Sequence, residues 1–191
     1  WQVIPTAWVD LAMERWVEPP VRGELMSLGV DVARGGKDNT VVSPRRKDPS
    51  GTSNHWFDKL VLHPGSSTPN GSKTAGFTIA EWRDQAPIHI DVNGVGASPY
   101  DVMKSANLPV FGVLMQERCA ETDKATGMLR FANVLSCIWW RMRETLDPAN
   151  NTGAALPKDP DLLKELCAVK WKPDGLTIEV QPRQQVVDAV G

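Results

Sequence analysis

Two aspartates, Asp31 and Asp91, each lie in a short apolar run that leads into a glycine-containing turn. A carboxylate in an apolar strand costs free energy unless it is paired, hydrogen-bonded or bound to a metal. If the two strands are neighbours, the carboxylate oxygens could converge on Mg²⁺ or Mn²⁺, which prefer oxygen ligands. Two such ions about 3.5–4 Å apart activate water and stabilise the leaving oxygen of a phosphodiester. Each aspartate could equally cap a turn or accept backbone N–H groups in a structural role.

The residues after Asp31 supply further charged side chains. Asp38, at the far end of the same turn, is a candidate auxiliary acid at a metal site. Five basic side chains are candidates for contacts with nucleic-acid phosphates: Arg34, Lys37, Arg45, Arg46 and Lys47. The last three lie in a polar segment, residues 44–54, which we interpret as a loop or a ragged hairpin end. A solvated loop face is an equally good interpretation of this basic cluster.

Other kinds of site have weak signals in this sequence. Residues 71–74, GSKT, lack the Gly-Lys-Ser/Thr run of a phosphate-binding loop because a serine separates the glycine from the lysine. The three histidines follow no HExxH or HxH pattern, and the three cysteines follow no CxxC spacing. The spacing therefore predicts neither a zinc site nor a disulfide framework.

Length and composition indicate an ordinary globular chain. The 191 residues are 41% hydrophobic and 23% charged, which is enough apolar surface for a packed core. The apolar runs are far shorter than the roughly 20 residues needed to span a bilayer, and no basic region followed by an apolar stretch opens the chain as a secretion signal. The net charge of −2 excludes a polycation that coats nucleic acid.

Hydrophobic periodicity and turn residues predict the elements that would position the two aspartates. Strands are predicted over residues 27–32, 40–42, 56–62, 88–92, 110–115 and 176–180. Helices are predicted within residues 1–16 and over 78–86, 98–106, 131–147 and 161–169, with a flexible loop over 63–76. Three meandering strands followed by alternating helices and strands favour an α/β fold with a central five-stranded mixed sheet flanked by helices. We predict a single domain over residues 1–191, in which residues 1–22 form a lead-in helix and linker.

Four segments resemble, in order, the nuclease domain of the large terminase subunit of tailed bacteriophages, the motor that packages and cuts viral DNA. Residues 3–15 are similar to the segment that enters that domain. Residues 29–40, GVDVARGGKDNT, resemble its first catalytic strand and turn. Residues 91–101 resemble the second acidic strand with the helix behind it, and residues 131–144 are similar to the helix after the fifth strand. The resemblance covers essentially the whole chain.

The resemblance implies an RNase H-like fold and a metal-dependent endonuclease that cuts double-stranded concatemer DNA during genome packaging. It implies that Asp31 and Asp91 hold Mg²⁺ or Mn²⁺ in a two-metal site, with Asp38 as an auxiliary ligand. The implied partners are double-stranded DNA, the terminase ATPase domain, the small terminase subunit and the portal protein. The implied location is the host cytoplasm, at the procapsid.

Two departures from the family pattern modify these expectations. The family carries a third aspartate in a Ser-Pro-Asp segment, whereas residues 185–191 resemble the stretch just before it. We therefore expect the third acid to lie after Gly191 and not to be Asp188, so that the C-terminal end of the domain is truncated. The ATPase half and its phosphate loop are also missing, so no ATP hydrolysis is expected. A net charge of −2 predicts weak DNA binding, because phosphate contacts dominate affinity.

Two alternatives stay open at this point. An actin-like or sugar-kinase-like nucleotide domain also begins with a Gly-x-Asp strand and a glycine turn, although such folds usually need a second, similar half. A non-catalytic docking module would use Asp31 and Asp91 structurally. A nuclease should be stabilised by Mn²⁺ without nucleotide, a kinase-like fold by ATP with Mg²⁺, and a docking module by neither.

Overall fold

The computed structural model describes residues 1–19, 21–35, 37–48, 50–51, 53 and 55–181. These residues form helices α1 to α5: Thr6–Arg15, Gly71–Glu81, Ala97–Ser105, Val134–Leu146 and Pro160–Ala168. They also form strands β1 to β9: Leu25–Asp31, Asn39–Arg46, Trp56–Phe57, Val61–Pro64, Ile88–Asp91, Val110–Val113, Arg130–Phe131, Trp171–Asp174 and Thr177–Val180. The chain divides into two compact units, one of residues 18–114 and the other of residues 1–17 together with the chain from 115 onward.

The unit of residues 18–114 is built on one mixed sheet. Its strand order is β3-β2-β1-β5-β6, and β4 pairs with β2 as a sixth strand. The β1–β2 pair is antiparallel, whereas the β1–β5 and β5–β6 pairs are parallel. The mixed sheet is as the sequence predicts, except that the predicted strand over residues 56–62 is divided into β3 and β4, which both pair with β2.

Successive residues of β1 and of β5 face opposite sides of this sheet. Leu28, Val30, Ile88 and Ile90 are buried in a core that also contains Ala75 of α2 and Met103 of α3. The residues that alternate with them, Asp31 and Asp91 among them, therefore lie on the opposite face. Helix packing on one side thus fixes which face carries the polar side chains.

Two predicted boundaries in this unit are wrong. Residues 44–46 continue β2 and are not a loop, because they pair with β1 and β3. Helix α2 begins at Gly71, seven residues before the predicted capping Thr78, because the Asn70 side chain accepts a hydrogen bond from the backbone N–H of Lys73. Thr78 lies inside the helix, where its hydroxyl donates to the Thr74 carbonyl.

The other unit contains α1, α4 and α5 with a small sheet of order β7-β9-β8. Strands β7 and β8 were not among the predicted elements, since each is short and lacks an apolar run. Helix α1 buries Val9, Ala12 and Met13 in this unit, whereas Leu11 is 39% exposed. Pro5 occupies its N-cap position, and no side chain caps the helix. The single-domain arrangement stays a prediction.

Among the described residues, no helix is both long enough and apolar enough to cross a membrane.

Candidate metal site at the carboxyl ends of β1 and β5

Asp31 and Asp91 are the last residues of two adjacent parallel strands. Val30 is in register with Ile90, so Asp31 and Asp91 are the next pair along β1 and β5. Neighbouring strands lie about 4.8 Å apart, and residues in register project from the same face of the sheet. The predicted side-by-side placement of the two acidic strands is therefore confirmed. Asp31 is exposed and Asp91 is half-buried, so the pair is open to solvent at the end of the sheet.

The turn after Asp91 requires glycine at two positions. Gly94 has φ +77°, a left-handed conformation that glycine adopts without strain. A Cβ on Gly96 would lie 1.7 Å from the backbone carbonyl oxygen of Asp91, a distance that no side chain tolerates. The Asp91 carboxylate accepts a hydrogen bond from the N–H of Asn93 at 2.9 Å. The Gly94-x-Gly96 pattern thus serves the close approach of the chain beneath Asp91.

The turn after Asp31 is held by two buried hydroxyl groups. Thr40 and Thr68 are fully buried, and their hydroxyl oxygens are 2.9 Å apart. The Thr68 hydroxyl donates to the Ala33 carbonyl at 2.7 Å, and the Ala33 N–H donates to the Thr40 hydroxyl at 3.0 Å. These bonds fix the backbone two residues after Asp31. Sequence reasoning missed Thr68 because it lies in the segment predicted as a flexible loop, and nothing in its local sequence signals the contact.

Arg34, Lys37 and Asp38 lie in the connection from β1 to β2, at the same end of the sheet as Asp31. All three are exposed. The Asp38 carbonyl accepts the N–H of Gly65 at 3.0 Å, which ties this connection to the chain after β4. In the part of the chain that the structure describes, Asp38 does not complete a trio with Asp31 and Asp91 in which all ligand atoms lie within 4.8 Å. Asp31 and Asp91 thus end adjacent strands, and Asp38 lies in the connection that follows β1, so its role as an auxiliary ligand stays a prediction.

Arg45, Arg46 and Lys47 lie toward the other end of the sheet. Arg45 is in register with Ser27, four residues before Asp31, which is about 13 Å along the strand. Arg46 is only 7% exposed, and its guanidinium donates to Asp58 at 2.9 Å and to the Gly23 carbonyl at 3.1 Å. The basic cluster is therefore divided between a buried ion pair at Arg46, a half-buried Arg45 and an exposed Lys47.

A polar and aromatic surface continues from the acidic pair along the same sheet face. His89 alternates with the buried residues of β5 and stacks on Phe111 with ring centroids 5.6 Å apart. The Arg45 guanidinium donates to the Ser27 hydroxyl at 3.0 Å. Burial, and secondarily the positive charge of Arg45, lowers the pKa of His89, and burial lowers the pKa of Arg45. His89 is therefore neutral at pH 7 and presents a flat ring on this face.

Residues 182–191, which include Asp188 and the whole segment 185–191 that resembles the family's C-terminal stretch, lie outside the described residues.

Comparison with known proteins identifies the fold. No protein-family model and no curated protein matches this sequence. The nuclease domain of the large terminase subunit gp2 of bacterial virus Sf6 has a similar structure, with a TM-score of 0.66 at 12% identity over 100% of this chain and 92% of that chain. A mutant of that domain with manganese and beta-thujaplicinol gives the same TM-score, 0.66, at 12% identity over 100% and 92% of the two chains. The large terminase nuclease from thermophilic phage G20c with bound magnesium has a TM-score of 0.58 at 14% identity, over 97% and 93%. The predicted α/β, RNase H-like fold is thereby confirmed.

Proposed function

We propose that this chain is a metal-dependent endonuclease domain that cuts double-stranded DNA, with Asp31 and Asp91 as metal ligands in a two-metal site. The observation that carries the proposal is the register of β1 and β5, in which Val30 pairs with Ile90 and Asp31 and Asp91 follow as the last residues of adjacent strands. The similarly folded terminase nuclease domains with manganese and magnesium support the same assignment.

The donor set fits hard divalent cations. Both ligands are carboxylates, and both lie where solvent and a large substrate can reach them. Mg²⁺ binds through one or two carboxylates while keeping several waters, so this pair suffices to begin a site. Bound Mg²⁺ or Mn²⁺ would supply an activated water and offset the charge on the leaving oxygen. The family pattern includes a third acid, which would complete the ligand set.

The chain's own residues hold the carboxylates in place. Gly96 lets the backbone pass directly beneath Asp91, and the hydroxyls of Thr40 and Thr68 fix the turn after Asp31. Both aspartates also end their strands, so their backbone positions follow the register of the sheet. In this proposal the two carboxylates bind the metal, and the backbone beneath them determines where they lie.

DNA phosphates are the proposed partners of the exposed basic residues. Arg34 and Lys37 are exposed in the connection that follows Asp31, so we expect them to contact the DNA strand that is cut. Lys47 and Arg45 would contact DNA farther along the sheet. Arg46 is left out of this surface because its guanidinium is buried against Asp58. With a net charge of −2, the domain should bind DNA weakly and in a strongly salt-dependent way.

The cellular role proposed for this activity is the cutting of viral concatemer DNA during genome packaging in the host cytoplasm. In that role the domain would act with a terminase ATPase domain, a small terminase subunit and a portal protein. These partners follow from the resemblance of residues 29–40 and 91–101 to the family motifs.

Nicking of supercoiled plasmid DNA tests the proposal. The unchanged chain should nick in millimolar Mn²⁺ and stop when chelator is added, while Asp31→Asn and Asp91→Asn should each lose nicking. Asp101→Asn is the matched control, because it removes an exposed carboxylate from α3 in the same unit. If the Asp31→Asn and Asp91→Asn variants nicked as fast as the unchanged chain, the assignment would be refuted. Stabilisation by ATP with Mg²⁺ but not by Mn²⁺ would favour a kinase-like domain instead.

A further inference from the structure

Two cysteines and a glutamate that are separated in sequence meet in the unit of residues 1–17 and 115 onward. Cys119 and Glu121 lie between β6 and β7, and Cys137 lies in the first turn of α4. The two sulfur atoms and one carboxylate oxygen of Glu121 all lie within 4.8 Å of one another. Across the described residues, no other trio of Cys, His, Asp or Glu ligand atoms is this close.

The donor set is suited to a thiophilic divalent cation. Tetrahedral Zn²⁺, with bonds of about 2.3 Å to sulfur and about 2.1 Å to oxygen, needs ligand atoms about 3.6–3.8 Å apart. From separations of at most 4.8 Å, this requires side-chain movements of about 1 Å. We propose that Cys119, Cys137 and Glu121 bind a thiophilic divalent cation of the Zn²⁺ class, with water in the fourth position.

The Glu121 carboxylate is already oriented by a neighbouring cation. Two nitrogens of Arg141, Nη2 and Nε, donate to Oε2 of Glu121 at 2.6 and 3.2 Å, which leaves Oε1 for a metal. A third nitrogen, Nη1, donates to Glu144 at 2.6 Å and so fixes the guanidinium from the side of α4. Partners of this kind, bonded to a ligand rather than to the metal, orient the ligand and strengthen binding.

The cysteines lie on backbone that is also held in place. The N–H groups of Val134 and Leu135, at the start of α4, donate to the carbonyls of Glu117 and Met115 at 2.9 and 3.0 Å. The segment that carries Cys119 is therefore bonded to the helix that carries Cys137. A metal ion would bind ligands that are already close, and would add a further link between this segment and α4.

The charge balance permits a dication. Cys137 is buried, and this burial together with the adjacent Cys119 thiol raises the pKa of Cys137 to about 12, so the metal-free thiol is neutral. Each metal–sulfur bond forms as a thiol proton leaves to water. Two thiolates then balance the dication. The surrounding charges are the same with and without the metal: two carboxylates, of Glu121 and Glu144, and one guanidinium, of Arg141.

This site differs in chemistry from the acidic pair. Sulfur ligands select soft or borderline ions, whereas Asp31 and Asp91 offer only oxygen and suit Mg²⁺ or Mn²⁺. The two proposals can therefore fail separately. An excess of Mg²⁺ occupies the acidic pair without competing for the thiolates.

Cobalt absorption is the direct test. Co²⁺ is titrated into the whole chain with a phosphine reductant and excess Mg²⁺, and sulfur-to-cobalt charge-transfer absorption is recorded in the near ultraviolet. We expect one equivalent to bind and Zn²⁺ to displace it. Cys119→Ser should lose most of the band, and Glu121→Gln, which keeps both sulfur ligands, should keep the band and lose affinity. The matched control is Cys167→Ser, which removes a half-buried thiol outside the trio and should behave as the unchanged chain. The absence of the band, or a full band in Cys119→Ser, overturns the proposal.

Alkylation of the unchanged chain gives a second test that needs no variant to fold. Cys119 is half-buried and should react with iodoacetamide in the metal-free protein. Zn²⁺ should slow its modification at least tenfold, while Cys167 should react at the same rate with and without Zn²⁺, as read by peptide mass spectrometry. An unchanged rate at Cys119 overturns the proposal. Neither measurement depends on DNA cleavage, so the result is independent of the proposed nuclease function.

Discussion

Replacing Asp31 by asparagine should stabilise the metal-free protein. Asp31 and Asp91 carry like charges at the ends of neighbouring strands, and we take the strand spacing of about 5 Å as the separation of the charges. At that distance two unit charges repel by about 0.8 kcal/mol in bulk water and by about 3 kcal/mol at an effective dielectric of 20. Because Asp31 is exposed, solvent screening places the repulsion near the lower value, at about 1 kcal/mol. The melting temperature of Asp31→Asn in chelator should therefore rise by about 2–4 °C.

The same variant should lose its response to metal. Mn²⁺ at about 100 times its dissociation constant stabilises a one-site protein by about 2.7 kcal/mol, or about 5–10 °C for a chain of this size. Melting followed by circular dichroism, in chelator and in Mn²⁺, measures both effects, with Asp101→Asn as the control that should change neither. If Asp31→Asn instead destabilises the metal-free protein by several kcal/mol, as loss of one member of a buried pair does, Asp31 is a structural anchor and the reasoning is wrong.

Four further substitutions test the support of the site and the division of the basic cluster. Thr68→Val removes the hydroxyl that donates to a backbone carbonyl after β1 and should cost about 1–3 kcal/mol in urea unfolding, with weaker Mn²⁺ stabilisation; unchanged stability would contradict the role of this hydroxyl. Gly96→Ala places a Cβ 1.7 Å from a backbone oxygen and should abolish Mn²⁺ stabilisation, so a normal response in melting would show that the turn relaxes freely. Arg46→Ala should lower stability by about 3 kcal/mol because Asp58 stays buried without its closest cation. Lys47→Ala should change stability by less than about 0.5 kcal/mol and flatten the salt dependence of DNA binding by about 0.9 in the log–log slope. If Lys47→Ala instead destabilised the protein in urea and Arg46→Ala flattened the salt dependence of DNA binding, this division of the basic cluster would be wrong.

The sheet and its acidic pair could be predicted because their signals are local. The alternation of Leu28, Val30 and Asp31 indicates a strand with one polar position, and Ile88 to Asp91 repeats it. The adjacency of β1 and β5 is not a local signal, because three strands and α2 lie between them in the chain. The register, which decides whether the carboxylates meet, depends on how side chains pack between the sheet and the helices, and the structure supplies it.

The remaining features depend on contacts between residues far apart in sequence. Arg46 looks like a loop cation because its partner, Asp58, is twelve residues away and leaves no pattern at Arg46 itself. The start of α2 was placed too late because residues 71–74 lack the apolar periodicity of a helix, and the cap at Asn70 outweighs that weak preference. Cys119 and Cys137 have no metal-ligand spacing, and only the packing of a connection against α4 brings their sulfur atoms together.

In the proposed function, the residues that support the acidic pair are buried, whereas its carboxylates stay open to solvent. A site that accepts DNA must keep its carboxylates open, so side-chain packing cannot hold Asp31, which is exposed. Precision must then come from the backbone, through the register of β1 and β5, the close approach at Gly96 and the buried hydroxyls of Thr40 and Thr68. These supports touch neither metal nor DNA in the proposed function, yet a shift of about 1 Å in either backbone would separate ligand oxygens that must meet bonds of about 2.1 Å to Mg²⁺. Substitutions at the supports should therefore resemble substitutions of the ligands themselves in their effect on metal binding, and differ from them in also lowering the stability of the metal-free protein.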